Sequence, residues 1–428
     1  MKNAVLTGCV FLYFTASKVT MTFSNQITHS YTPKRLAVKL NNKGEQFVVK
    51  GHPWVFSNNI TKVNADAKTG DLVVIFSKKT NAMIGLGLYD AESPIRIKMI
   101  HSQASRVEIS AEFFQQKIED AYHKRSTLLE TATNSYRLLF GENDGFPGLI
   151  ADVYNKVLVV KLYSGIWLPY LEQILPSLQK TASAETIVIR LSRGLQNLES
   201  HQLKDGDVVY GNLDNEVVEF IEHGVAFSAN VIKGHKTGYF LDHRHNRKRV
   251  GELSKGKTVL DVFSYAGGFS VHALYNGATS VTSLDISKQA LEIAYQNGKL
   301  NDYKGTHHTI AGDAFEEMKD LINKGIRYDV VVIDPPSFAK QQSEVALAKK
   351  KYAQLATLGA QLTAEKGLLV LASCSSRVLA QSFFDINMQT LRGQARGFTN
   401  ILNTHHDTDH PIGFPEGAYL KCGYYQFD

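Results

Sequence analysis

A chain of 428 residues with 43% hydrophobic and 21% charged residues has the composition of an ordinary globular protein, long enough for two or three domains and neither disordered nor fibrous. Its 47 basic and 41 acidic residues leave a net charge of +6, a mild bias toward anionic partners that specifies none of them. Three cysteines, Cys9, Cys374 and Cys422, with no Cys-x-x-Cys pair, exclude a disulfide framework and a thiolate zinc site and fit a reducing, cytoplasmic setting.

The start, "MKNAVLTGCVFLYFTASKVT", imitates an export signal, but its apolar stretch is too short to span a bilayer, and too little of it precedes Cys9 for a lipoprotein box. Residues 1–35 read as an extension from an early start site, with Met21 as an alternative start and no membrane role. Residues 36–106 alternate short apolar runs with turn signals at Asn41-Asn42-Lys43-Gly44, Gly51-His52-Pro53 and Lys68-Thr69-Gly70-Asp71, a pattern that predicts a small β barrel. Within it, "KGHPWVFSNNI" sets Lys50 and His52 beside Trp54 and Phe56, which either stack on nucleic-acid bases or fill a core.

Residues 107–215 begin with a helical connector to about Glu130. They continue with strands ("KVLVVKLY", "TIVIRLS") around an amphipathic "WLPYLEQILPSLQK", which predicts a central α+β domain. In "GENDGFPGLIADVY" the acids Asp144 and Asp152 read as turn chemistry. Residues 216–428 open with a hairpin, "EVVEFIEHGVAFSANV", and then alternate strands with helices. "KTVLDVF", "SVTSLDIS", "HHTIAGD", "YDVVVIDPP" and "GLLVLASCS" are each followed by a helical stretch, the order of a doubly wound α/β sheet.

In such sheets ligands gather at the carboxyl edge of the strands. Four acids fall there in succession: Asp261, Asp285, Asp313 and Asp334. Phe263, Gly267 and Gly268 lie in the first turn, where a chain without Cβ can approach a ligand closely. Asp285 stands where a carboxylate accepts hydrogen bonds from both ribose hydroxyls. The turn is not Gly-x-Gly-x-x-Gly and carries no P-loop lysine, so a cofactor with a ribose and no phosphates is expected. S-adenosylmethionine meets that description, with its adenine at Asp313 and Ala314.

Cys374 ends the fifth strand and shares an edge with Asp334, whose strand is stopped by Pro335 and Pro336. A thiolate added to C6 of cytosine makes C5 nucleophilic, which is the task a cysteine at that edge could perform, with Asp334 on the N3 and N4 side of the base. The motifs "GHPWVFSNNI", "GENDGFPGLIADVY", "GHKTGYFLDHRHNR", "VLDVFSYAGGFS", "DPPSF", "SCS" and "HPIGFPEGAYLK", in this order, resemble the bacterial 23S ribosomal RNA cytosine-C5 methyltransferases that carry a PUA domain. The resemblance runs from about Leu36 to the C-terminus. It implies a PUA-like barrel, a central α+β domain and a Rossmann-like class I methyltransferase domain, with Cys374 as nucleophile and Lys236 and Asp242 near the cofactor. Many RNA cytosine methyltransferases carry a second cysteine where this chain has Ser337, so product release must use another base.

The segment Lys233 to Val250 holds Lys233, Lys236, Arg244, Arg247, Lys248 and Arg249 against one acid, Asp242, and is expected to form a lid over cofactor and RNA phosphates. "THHDTDH", from Thr404, reads as a loop rather than a metal cluster. The expected substrate is an unpaired or flipped-out cytosine of 23S rRNA; a homodimer is possible on this reading. Two alternatives stay open: an exocyclic-amine methyltransferase acting on guanine or adenine, suggested by Asp-Pro-Pro-Ser-Phe, and a non-catalytic RNA-binding assembly factor.

Overall fold

The computed structural model describes residues 22–428 apart from 65, 103, 104, 106, 199 and 200, so the leader-like start, with Cys9 and Met21, lies outside the described residues. The first sheet contains β1 (Arg35–Leu40), β2 (Trp54–Phe56), β3 (Ile60–Lys62), β4 (Leu72–Phe76), β5 (Met83–Tyr89) and β6 (Ile95–His101), in the order β2-β6-β5-β4-β1-β3. Its two edge strands, β2 and β3, are consecutive in the chain and joined by one short turn, which brings the edges together as a barrel requires. The strict alternation of β1 turns Leu36, Val38 and Leu40 onto the barrel core with Val55, Val73, Ile75 and Ile97. The Asn41 turn signal instead caps a helix, α1 (Asn42–Val49): the Asn41 side chain accepts from the Gly44 N–H and so starts a helix where a turn was expected.

The second sheet contains β7 (Ser135–Phe140), β8 (Leu149–Tyr154), β9 (Val157–Leu162), β10 (Thr186–Leu191) and β11 (Val208–Tyr210), in the order β11-β10-β9-β8-β7. Against it pack α2 (Ala111–His123), α3 (Ser126–Leu129), α4 (Leu171–Ala182) and the short α5 (Arg193–Gln196) around Phe114, Phe146 and Trp167. Leu72, Leu86, Leu88 and Ile100 of the first sheet join the same core, so the two units share apolar packing. Asp144 does serve its turn, accepting from the Phe140 N–H (2.8 Å), but it and Asp152 have a larger role. Each is buried in a two-point ion pair, Arg125 with Asp144 (3.1 and 2.6 Å) and Arg137 with Asp152 (2.8 and 2.9 Å).

The hairpin β12 (Val217–Glu222) and β13 (Val225–Asn230) inserts Phe220, Val225 and Phe227 between Tyr154 and Val188 of the second sheet and Tyr239 and Val271 beyond it. After α6 (Arg244–Leu253) come β14 (Thr258–Val262), α7 (Gly268–Tyr275), β15 (Ser280–Asp285), α8 (Lys288–Lys299), β16 (Thr306–Ala311), α9 (Ala314–Asn323), β17 (Tyr328–Ile333), α10 (Val345–Leu362), β18 (Thr363–Ser373), α11 (Ala380–Arg392), β19 (Phe398–Thr404) and β20 (Lys421–Phe427). The sheet order is β16-β15-β14-β17-β18-β20-β19, with β14 to β18 parallel and β20 antiparallel to both of its neighbours. The order reverses at β14 and β17, the switch point where such sheets open a crevice. No helix among the described residues is long and apolar enough to cross a membrane.

Candidate active site

Asp261 is the penultimate residue of β14 and is buried. Its Oδ2 accepts from the Ser270 N–H (3.0 Å) and hydroxyl (2.7 Å), while Oδ1 has no partner among the described residues. Burial pushes its carboxyl up to about 7, and the carboxylates of Asp334 and Asp285 add to the rise. The Ser264 Oγ and Tyr239 hydroxyl are also buried and unpartnered. Orphaned polar atoms of this kind cost stability until a ligand satisfies them, and an acid with one free oxygen suits the ammonium of an amino-acid cofactor end.

The turn after β14 is strained and pinned. Phe263 (φ 64°) and Tyr265 (φ 47°) hold left-handed conformations that side chains other than glycine rarely adopt. Asp285 at the end of β15 holds the turn by accepting from the Tyr265 N–H (3.0 Å), and it also accepts from the Ser287 N–H (2.9 Å). Asn297 donates to the Ala266 carbonyl from α8. Beside Asp285, Ile286 is an apolar side chain left 75% exposed, a residue that the sequence reading did not single out. Gly267 and Gly268 are demanded by packing within the protein itself. A Cβ on Gly267 (φ 76°) would meet Ala294 at 2.7 Å, and one on Gly268 would meet Arg247 Cδ at 2.7 Å. Asp313 caps α9, accepting from the Phe315 and Glu316 N–H groups, and Ala314 is buried behind it.

Cys374, directly after β18, is partly buried, with Sγ 3.9 Å from the Pro335 carbonyl oxygen. Burial pushes its thiol up to about 12, the Asp334 and Asp242 carboxylates push the same way, and the Lys421 ammonium opposes them. Lys421 stands opposite Ser373 in the β18–β20 register and donates to the carbonyls of Ser375, Val378 (2.7 Å) and Tyr419 (3.0 Å). Burial brings it down to about 8. Asp334 Oδ1 lies 3.4 Å from His243 Nε2. Asp242 accepts from the Tyr419 hydroxyl (2.9 Å); burial opposes its charge, but His243, His410 and that hydrogen bond hold it down at about 2. The sequence reading missed His243, Tyr419 and Lys421, although "FLDHRHNR" and "GAYLK" contain them.

The lid expectation is corrected by α6. Arg244 and Arg247 are buried and cannot face phosphates. Arg247 makes a two-point pair with Glu222 of the hairpin (2.7 and 2.6 Å), and Arg244 pairs with Asp409 (2.8 Å) and Asp407 (3.2 Å). The helix is a strut that ties hairpin, catalytic sheet and the 405–410 loop together. That loop gives two of its acids to Arg244, and among the described residues there is no metal-ligand cluster. Lys233, Lys236, Lys248 and Arg249 are exposed; Lys233 pairs with Glu216 (2.9 Å), and Lys236 holds a left-handed turn (φ 59°). Lys50 is exposed, whereas Trp54 is half-buried, donating to Glu142 (3.0 Å) and meeting Phe414 edge-on at 5.0 Å. Its ring joins barrel, central unit and C-terminal loop, which is the packing reading rather than a stacking platform.

A parallel sheet with a strained first turn and acids at its strand ends defines a nucleoside-binding α/β enzyme. The chain belongs to the S-adenosylmethionine-dependent methyltransferases, whose family model matches residues 136–387, and a PUA-like domain matches residues 38–102. S-adenosylmethionine is therefore its cofactor, and the orphaned atoms around Asp261 fit that group. A ribosomal RNA large subunit methyltransferase of Deinococcus radiodurans is 38% identical over 401 residues, covering 92% of this chain and 98% of the relative. Ribosomal RNA large subunit methyltransferase I of Aeromonas salmonicida is 33% identical over 383 residues (88% and 96%). Among solved structures, a chain from Streptococcus mutans assigned as a SAM-dependent methyltransferase matches with TM-score 0.76 at 20% identity, covering 91% of this chain and 99% of that one. Another, solved in complex with SAH, matches with TM-score 0.76 at 21% identity (92% and 100%).

Proposed function

We propose that this enzyme methylates C5 of a cytosine in large-subunit (23S) ribosomal RNA, with Cys374 as the nucleophile that adds to C6. The observation that carries the reading is the position of Cys374 against the Asp334-Pro335-Pro336 turn, 3.9 Å from its carbonyl. A methyltransferase that acts on an exocyclic amine has no use for a thiol there. The printed names of the relatives support the substrate class.

When bound, S-adenosylmethionine supplies an electrophilic methyl group. Asp261 Oδ1, Ser264 and Tyr239 would hold its amino-acid end, Asp285 its ribose, and Ile286, Asp313 and Ala314 the adenine side. Asp334 would hold the N3 and N4 edge of the cytosine. The free thiol is raised by burial first and by Asp334 and Asp242 as well, so thiolate formation would follow base binding, once Asp334 is engaged and Lys421 faces the developing charge. Exposed Lys50, Lys233, Lys236, Lys248 and Arg249 would meet phosphates.

Mass spectrometry of ribosomal RNA nucleosides from cells with and without the gene tests the reading, and so does covalent capture on rRNA carrying 5-fluorocytosine. Loss of 5-methylcytosine in the deletion, and capture that Cys374→Ser abolishes, are expected. Loss of a methylated exocyclic amine instead would replace the reading.

A further inference from the structure

Addition of a thiolate to C6 requires a proton at N3, and that proton must leave again before the product forms. The groups behind Asp334 suit this traffic. His243 is buried, with Nε2 within ion-pair distance of Asp334 Oδ1 at 3.4 Å and no hydrogen bond of its own in the free protein. Its Nδ1 lies 3.1 Å from Asn246 Nδ2, and Asn246 Oδ1 lies 2.7 Å from the Thr404 hydroxyl and 2.8 Å from that of Tyr424. In this arrangement both hydroxyls donate to Oδ1, Nδ2 donates to Nδ1, and His243 is neutral with its proton on Nε2. Turned over, the amide accepts from Nδ1–H and donates to the hydroxyl oxygens, which suits the imidazolium. On the Nδ1 side both protonation states are therefore satisfied without backbone movement, while Nε2 is left to Asp334.

The charged groups around the ring are Asp334 at the end of β17, Asp242 before it in the chain, Arg247 and His245 from α6 and His406 from the 405–410 loop, with Phe269 edge-on at 5.6 Å. Burial opposes charge on the ring, Asp334 and Asp242 favour it, and the balance raises its pKa.

We propose that His243 and Asp334 form a proton relay to N3 of the target cytosine, with Asn246 turning to suit either protonation state of the ring and His243 a positioning residue that acts through Asp334. The inference rests on the cytosine-C5 reading. As sulfur bonds to C6, the electrons of the C5–C6 double bond shift toward N3, which takes a proton from Asp334, and His243 replaces it. After C5 is methylated, N3 returns its proton to the pair. The C5 proton then passes to water, the C5–C6 double bond re-forms, and the C6–S bond breaks with its electrons returning to sulfur.

The test is the pH dependence of covalent capture on 5-fluorocytosine-substituted 23S rRNA, together with an NMR titration of the His243 imidazole in the free protein. Wild-type capture is expected to rise with pH while His243 keeps its proton and to level off as it loses it, because further gain in thiolate is then cancelled. His243→Gln should capture roughly 100-fold more slowly near pH 7 and go on rising with pH without that break, with cofactor affinity within about threefold of wild type. Asn246→Asp should hold the imidazolium, moving both the NMR midpoint and the break to higher pH. Wild-type capture rates in His243→Gln, an unchanged break in that variant, or an unmoved midpoint in Asn246→Asp overturn the relay. Absence of capture by the wild type at every pH overturns the cytosine-C5 reading itself.

Discussion

The Cys374 thiol lies 3.9 Å from the Pro335 carbonyl oxygen, so the residue after β18 and the turn after β17 form one wall. Two prolines have no N–H to offer that wall, which leaves carbonyls and the Asp334 carboxylate facing the sulfur. The surroundings disfavour a resting thiolate.

A consequence is that removing the Asp334 carboxylate should make the Cys374 thiol more reactive toward simple reagents. Asp334→Asn should speed alkylation of Cys374 by iodoacetamide at pH 7.5, because one of the carboxylates that raise the thiol is gone, while abolishing methyl transfer. Lys421→Met should slow alkylation, because the opposing ammonium is gone. Equal rates in all three proteins would show that these charges do not act on the sulfur.

Asp261 gives a pH dependence with a definite sign. Its folded pKa, about 7, lies above the unfolded value, so ionisation costs the free protein stability. The cost is absent below about pH 4, grows as pH rises toward 7 and is constant beyond it. Asp261→Asn should therefore stabilise the free enzyme at pH 8, by about 2–4 kcal/mol, and weaken cofactor binding. Wild-type affinity by calorimetry should be about tenfold lower at pH 6 than at pH 8, with proton release on binding at the lower pH.

Glu222 is the buried carboxylate on which Arg247, Arg244 and His272 converge. Burial opposes its charge and Arg247 outweighs that, so its pKa is depressed. Its contribution to stability is present above its unfolded pKa and is lost only as acid titrates the depressed folded group. Glu222→Gln should cost about 3–5 kcal/mol, because buried guanidinium charge is left uncompensated. Urea unfolding at pH 7 measures it; a loss below 1 kcal/mol would mean that the strut is not held by this group.

Lys248→Ala with Arg249→Ala should flatten the salt dependence of RNA binding by up to about 1.4 units of slope, at roughly 0.7 per single-strand phosphate contact. Arg247→Ala should instead lower stability through Glu222, leaving the slope per folded molecule unchanged. An identical slope in the double variant would leave Lys248 and Arg249 as a solvated face.

The parallel sheet was legible because β14, β15, β17 and β18 are largely buried strands ending at or beside an acid or a cysteine, signals local in sequence, and the more polar β16 falls in step with them. What escaped was set by pairs distant in the chain. Arg247 looks like a phosphate ligand until Glu222, 25 residues earlier, is placed beneath it, and Asp144 looks like a turn residue until Arg125 reaches it. His243 and Lys421 gain their places through Asp334 and Ser373, and neither partner is a sequence neighbour. In the same way α1 was hidden by Asn41, whose side chain serves a turn or a helix cap equally well.

β20 lies between β18 and β19 although it follows both in the chain. A polypeptide emerging in order of synthesis completes its barrel and central sheet first. It meanwhile carries the strand leading to Cys374 with an open edge and no lysine opposite Ser373. A nascent copy stalled before residue 421 would thus carry the Cys374 thiol without the ammonium that opposes its neighbouring carboxylates.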